Sequence, residues 1–272
     1  MGDQRKPATG EATRAVRVSR AGAPSVEDLV AREEPLELQL DGQSLAVVMR
    51  TPGHDDELGV GFLLTEGIIG GVSDIASLRH CTTVPTPQAE DNVLQVRLAR
   101  PFDVSTLKRH FFATSSCGVC GKATIENALR VAQPLRSAVR VQREVLEALP
   151  ERLRAGQVAF EQTGGLHAAA LFDAQGELHV LREDVGRHNA VDKVVGWSLR
   201  AAAPTSEAVL MVSGRLSFEL VQKCVAARIP VLAGVSAPTS LAVEMAEALG
   251  LTLIGFLRGR SMNVYAHPER VG

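Results

Sequence analysis

No run in this chain approaches the ~20 consecutive apolar residues that a membrane-crossing helix needs, so a bilayer-spanning helix is not expected. The opening residues, Met1-Gly2-Asp3-Gln4-Arg5-Lys6-Pro7, lack the apolar stretch of a secretory leader, and a reducing cytoplasm is the compartment to expect. Charge of one sign is also missing. Lys and Arg number 29 against 31 Asp and Glu, so no global field draws the chain to nucleic acid, and any anionic ligand must be met by a local basic cluster. Internal repeats and low-complexity tracts are absent. Cysteine is scarce: four in 272 residues exclude a disulfide scaffold. What remains, at 45% hydrophobic content, is enough to bury a substantial core in one large domain or two modest ones.

Two of the four cysteines stand together, Cys117-Gly118-Val119-Cys120. A spacing of two lets both sulfurs face one small volume, as metal chelation, reversible disulfide formation and sulfur relay all require. A structural zinc site needs four ligands, and no second Cys-x-x-Cys is present. A thioredoxin-type site would open a helix after an N-terminal strand, whereas this pair lies well into the chain. Ser115, Ser116, Gly118 and Gly121 make the surroundings an exposed loop that a partner can approach closely. Lys122 and a short helix over residues 123–129 would lower the thiol pKa from about 8.5 and raise the thiolate fraction. Cys81 and Cys224 are single and distant, and Cys224 falls in an apolar helical pattern, the place of a buried core thiol.

Periodicity divides the chain into a disordered tail (1–14), an N-terminal α+β unit (15–105) and a layered α/β domain (106–272). In the first unit, Leu36-Glu37-Leu38-Gln39-Leu40 alternates as a strand, Asp41-Gly42 signals a hairpin turn, and residues 44–49 return. Asp55-Asp56-Glu57 begin a glycine-rich apolar helix that runs to about Glu66, and Val93 to Leu98 alternates again. His54 with these three carboxylates has the composition of a metal site, but acidic residues at a helix start compensate its dipole equally well. In the second unit, strand patterns over 166–172 and 178–181 precede a helix from Arg187. Strands over 208–212, 231–234 and 251–257 then alternate with helices over 216–227 and 240–249. That rhythm predicts an α/β layer with partly parallel strands.

Three segments follow these strands: Ser213-Gly214-Arg215-Leu216-Ser217, Ser236-Ala237-Pro238-Thr239-Ser240, and Phe256-Leu257-Arg258-Gly259-Arg260-Ser261. In a parallel sheet they share one rim, where helix starts offer N–H groups and arginine forks match phosphate oxygens, so a pocket for a phosphorylated ligand is expected. The middle segment is also explained as a turn with a hydroxyl N-cap. Glu183-Asp184-Val185-Gly186-Arg187-His188-Asn189-Ala190-Val191-Asp192-Lys193 is denser in charge than capping requires. His188 and Asp192 lie one helical turn apart, so the carboxylate could orient the imidazole, or both could face a ligand.

Taken together, Thr114 to Lys122, Glu183 to Lys193, Ser213-Gly214-Arg215 with Ser217 to Lys223, Val235 to Ser240 and Gly255 to Tyr265 resemble the formate dehydrogenase accessory family, FdhD/NarQ. The resemblance begins at about residue 30. It implies a cytidine deaminase-like layered α/β fold with a smaller N-terminal α+β part, and a cytoplasmic, homodimeric sulfurtransferase. On this reading Cys117 accepts sulfur from a cysteine desulfurase as a persulfide, with Cys120 assisting or resolving. The sulfur passes to the bis-molybdopterin guanine dinucleotide form of the molybdenum cofactor, bound as substrate through Phe256, Leu257, Arg258, Gly259, Arg260 and Ser261. Formate dehydrogenase would be the client, with no nucleic acid or membrane partner and no metal held by the chain itself. The His-x-Glu zinc motif of the deaminases is not evident before the cysteine pair. Two other readings stay open: a non-catalytic chaperone that holds the same cofactor, and a zinc-dependent hydrolase on the same fold.

Overall fold

The computed structural model describes residues 9–16, 25–81, 91–100 and 133–272. Its first strands, β1 (Gly10–Val16) and β2 (Ser25–Ala31), pair antiparallel as a two-stranded ribbon. The segment expected to be a tail therefore divides: residues 1–8 lie outside the described part, whereas Gly10–Val16 is a strand. The anticipated hairpin is present as β3 (Glu34–Leu40) and β4 (Gln43–Arg50). Asp41 and Gly42 both take positive φ (48° and 81°), the geometry of the tight turn that suits twisted strands. β5 (Ile75–His80) and β6 (Val93–Leu98) complete a sheet of order β4-β3-β6-β5, in which β3 and β6 are parallel. The expected boundary at residues 105/106 lies outside the described residues.

The glycine-rich helix α1 (Asp55–Thr65) covers this sheet, with Leu58 and Phe62 packed against Leu36, Leu38 and Leu94. It is buried nearly all round because its other side meets the second unit. There, α2 (Arg143–Gly156) and α3 (Val158–Thr163) precede β7 (His167–Phe172), β8 (Leu178–Asp184) and α4 (Arg187–Arg200). The alternation continues through β9 (Val209–Val212), α5 (Phe218–Ala226), β10 (Val231–Gly234), α6 (Ser240–Leu249), β11 (Thr252–Arg258) and β12 (Ser261–Ala266). The strands order β12-β11-β10-β9-β7-β8, with β9, β10 and β11 parallel and the flanking pairs antiparallel. This is the layered α/β domain with a smaller N-terminal α+β part.

Strands β9 and β10 are apolar at every position because both faces of the sheet are covered. Leu210, Val212 and Leu232 pack with α4, α5 and α6, while Val209, Met211 and Val231 face α2. Helix α2 was not anticipated, since Pro150 interrupts its pattern. An interior proline removes a helix hydrogen bond at about 3 kcal/mol. Leu146, Leu149 and Leu153, all buried at one-turn spacings, offset that by fixing α2 to the sheet.

The two units meet where α1 crosses α4, through glycine on both sides. A Cβ on Gly61 would sit 1.8 Å from the Asp192 carbonyl oxygen, and one on Gly196 would sit 1.8 Å from that of Glu57. Backbone thus touches backbone. Around the crossing, every acidic residue of the α1 start has an arginine. Asp55 is bound by Arg50 at 2.9 Å through both oxygens, Asp56 by Arg200, and Glu57 by Arg182 of β8 at 2.5 and 2.7 Å. The His54 cluster is accordingly an ion-paired helix start. Deeper in, Lys193 Nζ lies 2.7 Å from Asp184 and donates to the Thr51 carbonyl, while Lys223 Nζ donates to both oxygens of Asp192 and to Thr65.

Substitution Gly196→Ala tests the crossing. Alanine is the better helix former by roughly 1 kcal/mol, yet the clash with Glu57 should make the variant less stable, by about 1–3 kcal/mol as in overpacked cores. A lowered Tm is expected; a raised one would contradict the geometry. The Glu57–Arg182 pair sets an acid limit. Burial alone would raise the Glu57 carboxyl, but the hydrogen bonds from Arg182 and His54 outweigh it and hold the group at about 2, against an ordinary 4.5. Its stabilisation is therefore complete above 4.5 and lost as pH falls toward 2. Glu57→Gln should be less stable than the unmodified chain at neutral pH in urea titrations, with the difference shrinking through that acid window.

Candidate functional site

Because β9, β10 and β11 are parallel, their carboxyl ends reach the same edge, as the sequence predicts for its three candidate segments. Backbone bonds lace them together. Leu216 N donates to Ala237 O at 3.1 Å, Thr239 N to Leu216 O at 3.0 Å, and Phe256 N to Ser236 O at 3.1 Å. The hydroxyl N-cap is real: Thr239 Oγ1 accepts from Ala242 N. Helix α5 begins later than the pattern suggested, at Phe218, since Leu216 is buried in the loop and Ser217 takes the N-cap position. The antiparallel strand β7 begins at this edge, where Ala168 N donates to Ser213 Oγ, and β8 ends there.

The six residues expected to hold a nucleotide form a hairpin tip rather than a loop after the last strand. β11 runs through Arg258, Gly259 turns with φ 53°, and Ser261 opens β12. Five of the six are exposed, but Leu257 is fully buried among Met211, Ile254 and neighbouring core residues, so its side chain faces away from any ligand. Phe256 has φ 50°, an uncommon conformation for a bulky residue, and is 39% exposed. Its ring lies 6.0 Å from the Arg258 guanidinium, and Arg258 Nε donates to the Val235 carbonyl at 2.8 Å. A held aromatic face with a guanidinium beside it can stack a planar base and meet a phosphate.

The run Glu183 to Lys193 separates into three groups. Asp184, Asp192 and Lys193 belong to buried ion pairs of the second unit that hydrogen-bond across to Thr51 and Thr65 of the first. Glu183 accepts from Ala159 N and Phe160 N, capping α3. Of the two arrangements that their spacing allowed, the one in which Asp192 orients the His188 imidazole is not formed. Asp192 is drawn inward by Lys223, while His188 Nε2 lies 3.4 Å from both Ser217 Oγ and Glu219 Oε2. That contact with His188 holds the Glu219 carboxyl down to about 2.

Residues missed by sequence reasoning also gather here. His167 at the start of β7 lies against Gly214, as does Arg187 at the start of α4. Burial, and then the charges of Arg187, His188 and Arg215, push the His167 imidazole below its ordinary value. A cavity of about 510 Å³ adjoins, lined by Leu153, Phe160, Leu166, His167, Ser213 and Val235 among others. No local pattern signals His167, which depends on β7 pairing beside β9. Cys224 is fully buried and its thiol is pushed up by burial, as a core residue; Cys81 is buried too. Cys117, Cys120 and Lys122 lie outside the described residues.

Comparison with known proteins adds a family. Over 262 residues the chain is 52% identical to a protein of Nocardia farcinica named sulfur carrier protein FdhD, covering 95% of this chain and 93% of that one. A relative of the same name from Saccharolobus solfataricus is 47% identical over 260 residues, covering 94% and 96%. A crystal structure described as a candidate formate dehydrogenase accessory protein, from Desulfotalea psychrophila, superposes with a TM-score of 0.77 at 24% identity, covering 97% of this chain and all of that one. Residues 31–272 match the model of the FdhD/NarQ family, and with relatives this similar along nearly its whole length the chain belongs to that family.

Proposed function

We propose that this protein is a sulfur carrier, and that Cys117 is the residue that carries the sulfur. The observation behind this is that relatives about half identical over nearly the whole chain bear the name sulfur carrier protein, while this chain holds the Cys-x-x-Cys pair that such chemistry uses. In the first step the Cys117 thiolate attacks the terminal sulfur of a cysteine desulfurase persulfide. A new S–S bond forms as the old one breaks, and the desulfurase thiolate leaves with the bonding pair. In the second step the Cys120 thiolate attacks Cys117 Sγ: the Cys117–Cys120 disulfide forms as the persulfide S–S bond breaks, the terminal sulfur leaves with the bonding pair as sulfide for the acceptor, and an external dithiol reduces the disulfide for the next turn. The acceptor is the bis-molybdopterin guanine dinucleotide form of the molybdenum cofactor, held as substrate, with formate dehydrogenase as the client. The protein works as a homodimer in the cytoplasm.

The exposed tip from Phe256 to Ser261 supports the nucleotide part of this reading. Arg258 and Arg260 offer two guanidinium groups to a pyrophosphate, Gly259 lets the backbone approach, and Phe256 offers a ring face to guanine. Glu57, His54 and their neighbours take no part, being bound to one another and to Arg182.

Intact-protein mass spectrometry after incubation with a cysteine desulfurase and cysteine tests the relay. The unmodified chain should gain the mass of one sulfur, and Cys117→Ala should gain none. Persulfide formation undiminished in Cys117→Ala would place the sulfur elsewhere. For the nucleotide part, Arg258→Ala should weaken GDP binding about tenfold or more, as expected for a lost charge-assisted bond of roughly 1.5–3 kcal/mol, measurable by calorimetry. Unchanged affinity would remove the hairpin from the site.

A further inference from the structure

Arg187 and Arg215 bring two positive charges to the edge where β9 ends. Neither forms an ion pair among the described residues, and two carboxylates of neighbouring segments, Asp184 and Glu219, are already taken. Asp184 accepts from Gly186 N and Asn189 Nδ2 through one oxygen; the other accepts from Thr51 N and lies 2.7 Å from Lys193 Nζ. Glu219 is held by His188. The Arg187 Nε is buried and has no hydrogen-bond partner among the described residues, which is rare for such a strong donor.

Gly214 shapes the space beside it. Its Cβ position lies 3.4 Å from Arg187 Cδ and 3.4 Å from His167 Nδ1, so the absence of a side chain keeps that gap open. Helix α4 starts at Arg187 and has no side-chain cap, leaving its positive end toward the same loop edge. His167 and Ser213 in turn line the 510 Å³ cavity, whose other walls, Leu153, Phe160 and Leu166, are apolar. Val235 joins this cavity to the arginine hairpin, because it lines the one and accepts from Arg258 Nε of the other.

We infer that Arg187, Arg215 and His167, gathered around Gly214, form a second anion subsite that takes a phosphate or pyrophosphate group, distinct from the hairpin at Arg258 and Arg260. This rests on the reading of the chain as a carrier for a cofactor bearing two guanine dinucleotides. What calls for an anion here is the buried Arg187 Nε, without a partner among the described residues, beside the gap that Gly214 leaves open. The Arg187 guanidinium supplies the charged fork, His167 a ring nitrogen, and the adjoining cavity the dry wall against which a ring system of the ligand rests.

Calorimetric titration with inorganic pyrophosphate, and separately with GDP, tests the subsite on the full chain. Arg187→Gln removes the unpartnered donor without breaking a described hydrogen bond, and Gly214→Ala fills the gap without steric overlap, so both should keep the unmodified Tm. Each is expected to weaken pyrophosphate binding at least tenfold, and Arg187→Gln combined with Arg258→Ala should abolish it. If pyrophosphate binds but only Arg258→Ala weakens it, the subsite is wrong while the nucleotide reading stands. If the unmodified chain binds no pyrophosphate, the subsite is likewise wrong. Failure of the unmodified chain both to acquire sulfur and to bind GDP would instead overturn the functional reading itself.

Discussion

The approach of α1 to α4 at glycine governs the arrangement of everything else. Two helices whose carbonyl oxygens would lie 1.8 Å from any added Cβ have no freedom to slide or to separate slightly, since interiors pack at crystal-like density. With the crossing fixed, Thr51 and Thr65 of the first unit come within reach of Lys193 and Lys223 of the second. Those lysines are themselves paired with Asp184 and Asp192, and removing either carboxylate would strand a buried charge at roughly 3–5 kcal/mol. The hydrogen bonds from these paired lysines to Thr51 and Thr65 thus hold the geometry in register, while the glycines make the close contact possible. Because α4 begins at the functional edge with Arg187 and His188, the same crossing also sets where those two side chains stand.

Much of this fold was legible in residue order. The hairpin at Asp41-Gly42, the acidic start of α1 and the alternation of strands with helices after residue 166 were all readable, because each rests on a short-range physical preference. What could not be read depends on tertiary context. Helix α2 hides behind Pro150, and only the sheet beneath Leu146, Leu149 and Leu153 explains why it forms. Strand β12 was not read from the sequence: the arginine segment ends at Ser261, where the strand that pairs back onto β11 begins. Residues 10–14 look like a polar tail until β2 is there to pair with them.

The site shows the same division. The three loops after the parallel strands were foreseeable, because strand polarity alone brings them to one edge. Spacing misled where it ignored burial. His188 and Asp192 are one turn apart, yet a lysine from α5 captures the carboxylate and leaves the imidazole to Ser217 and Glu219. Leu257 sits within an exposed tip but alternates inward, as strand geometry requires of a residue between two outward neighbours. His167 and Gly214 meet only because β7 runs antiparallel beside β9, information held by the sheet and not by either segment.

The exposed hairpin at Phe256 and Arg258 also bears on timing. Phe256 holds its left-handed backbone within a β-ladder whose register slips between Gly255 and Arg258, and the Arg258 guanidinium is tied back to Val235 before any ligand arrives. Conformational entropy that a flexible loop would surrender on binding has therefore been lost already, when the chain folded. Any ligand that meets this tip would find a surface set in advance, so selection at this point would rest on shape and charge and not on how readily the protein rearranges.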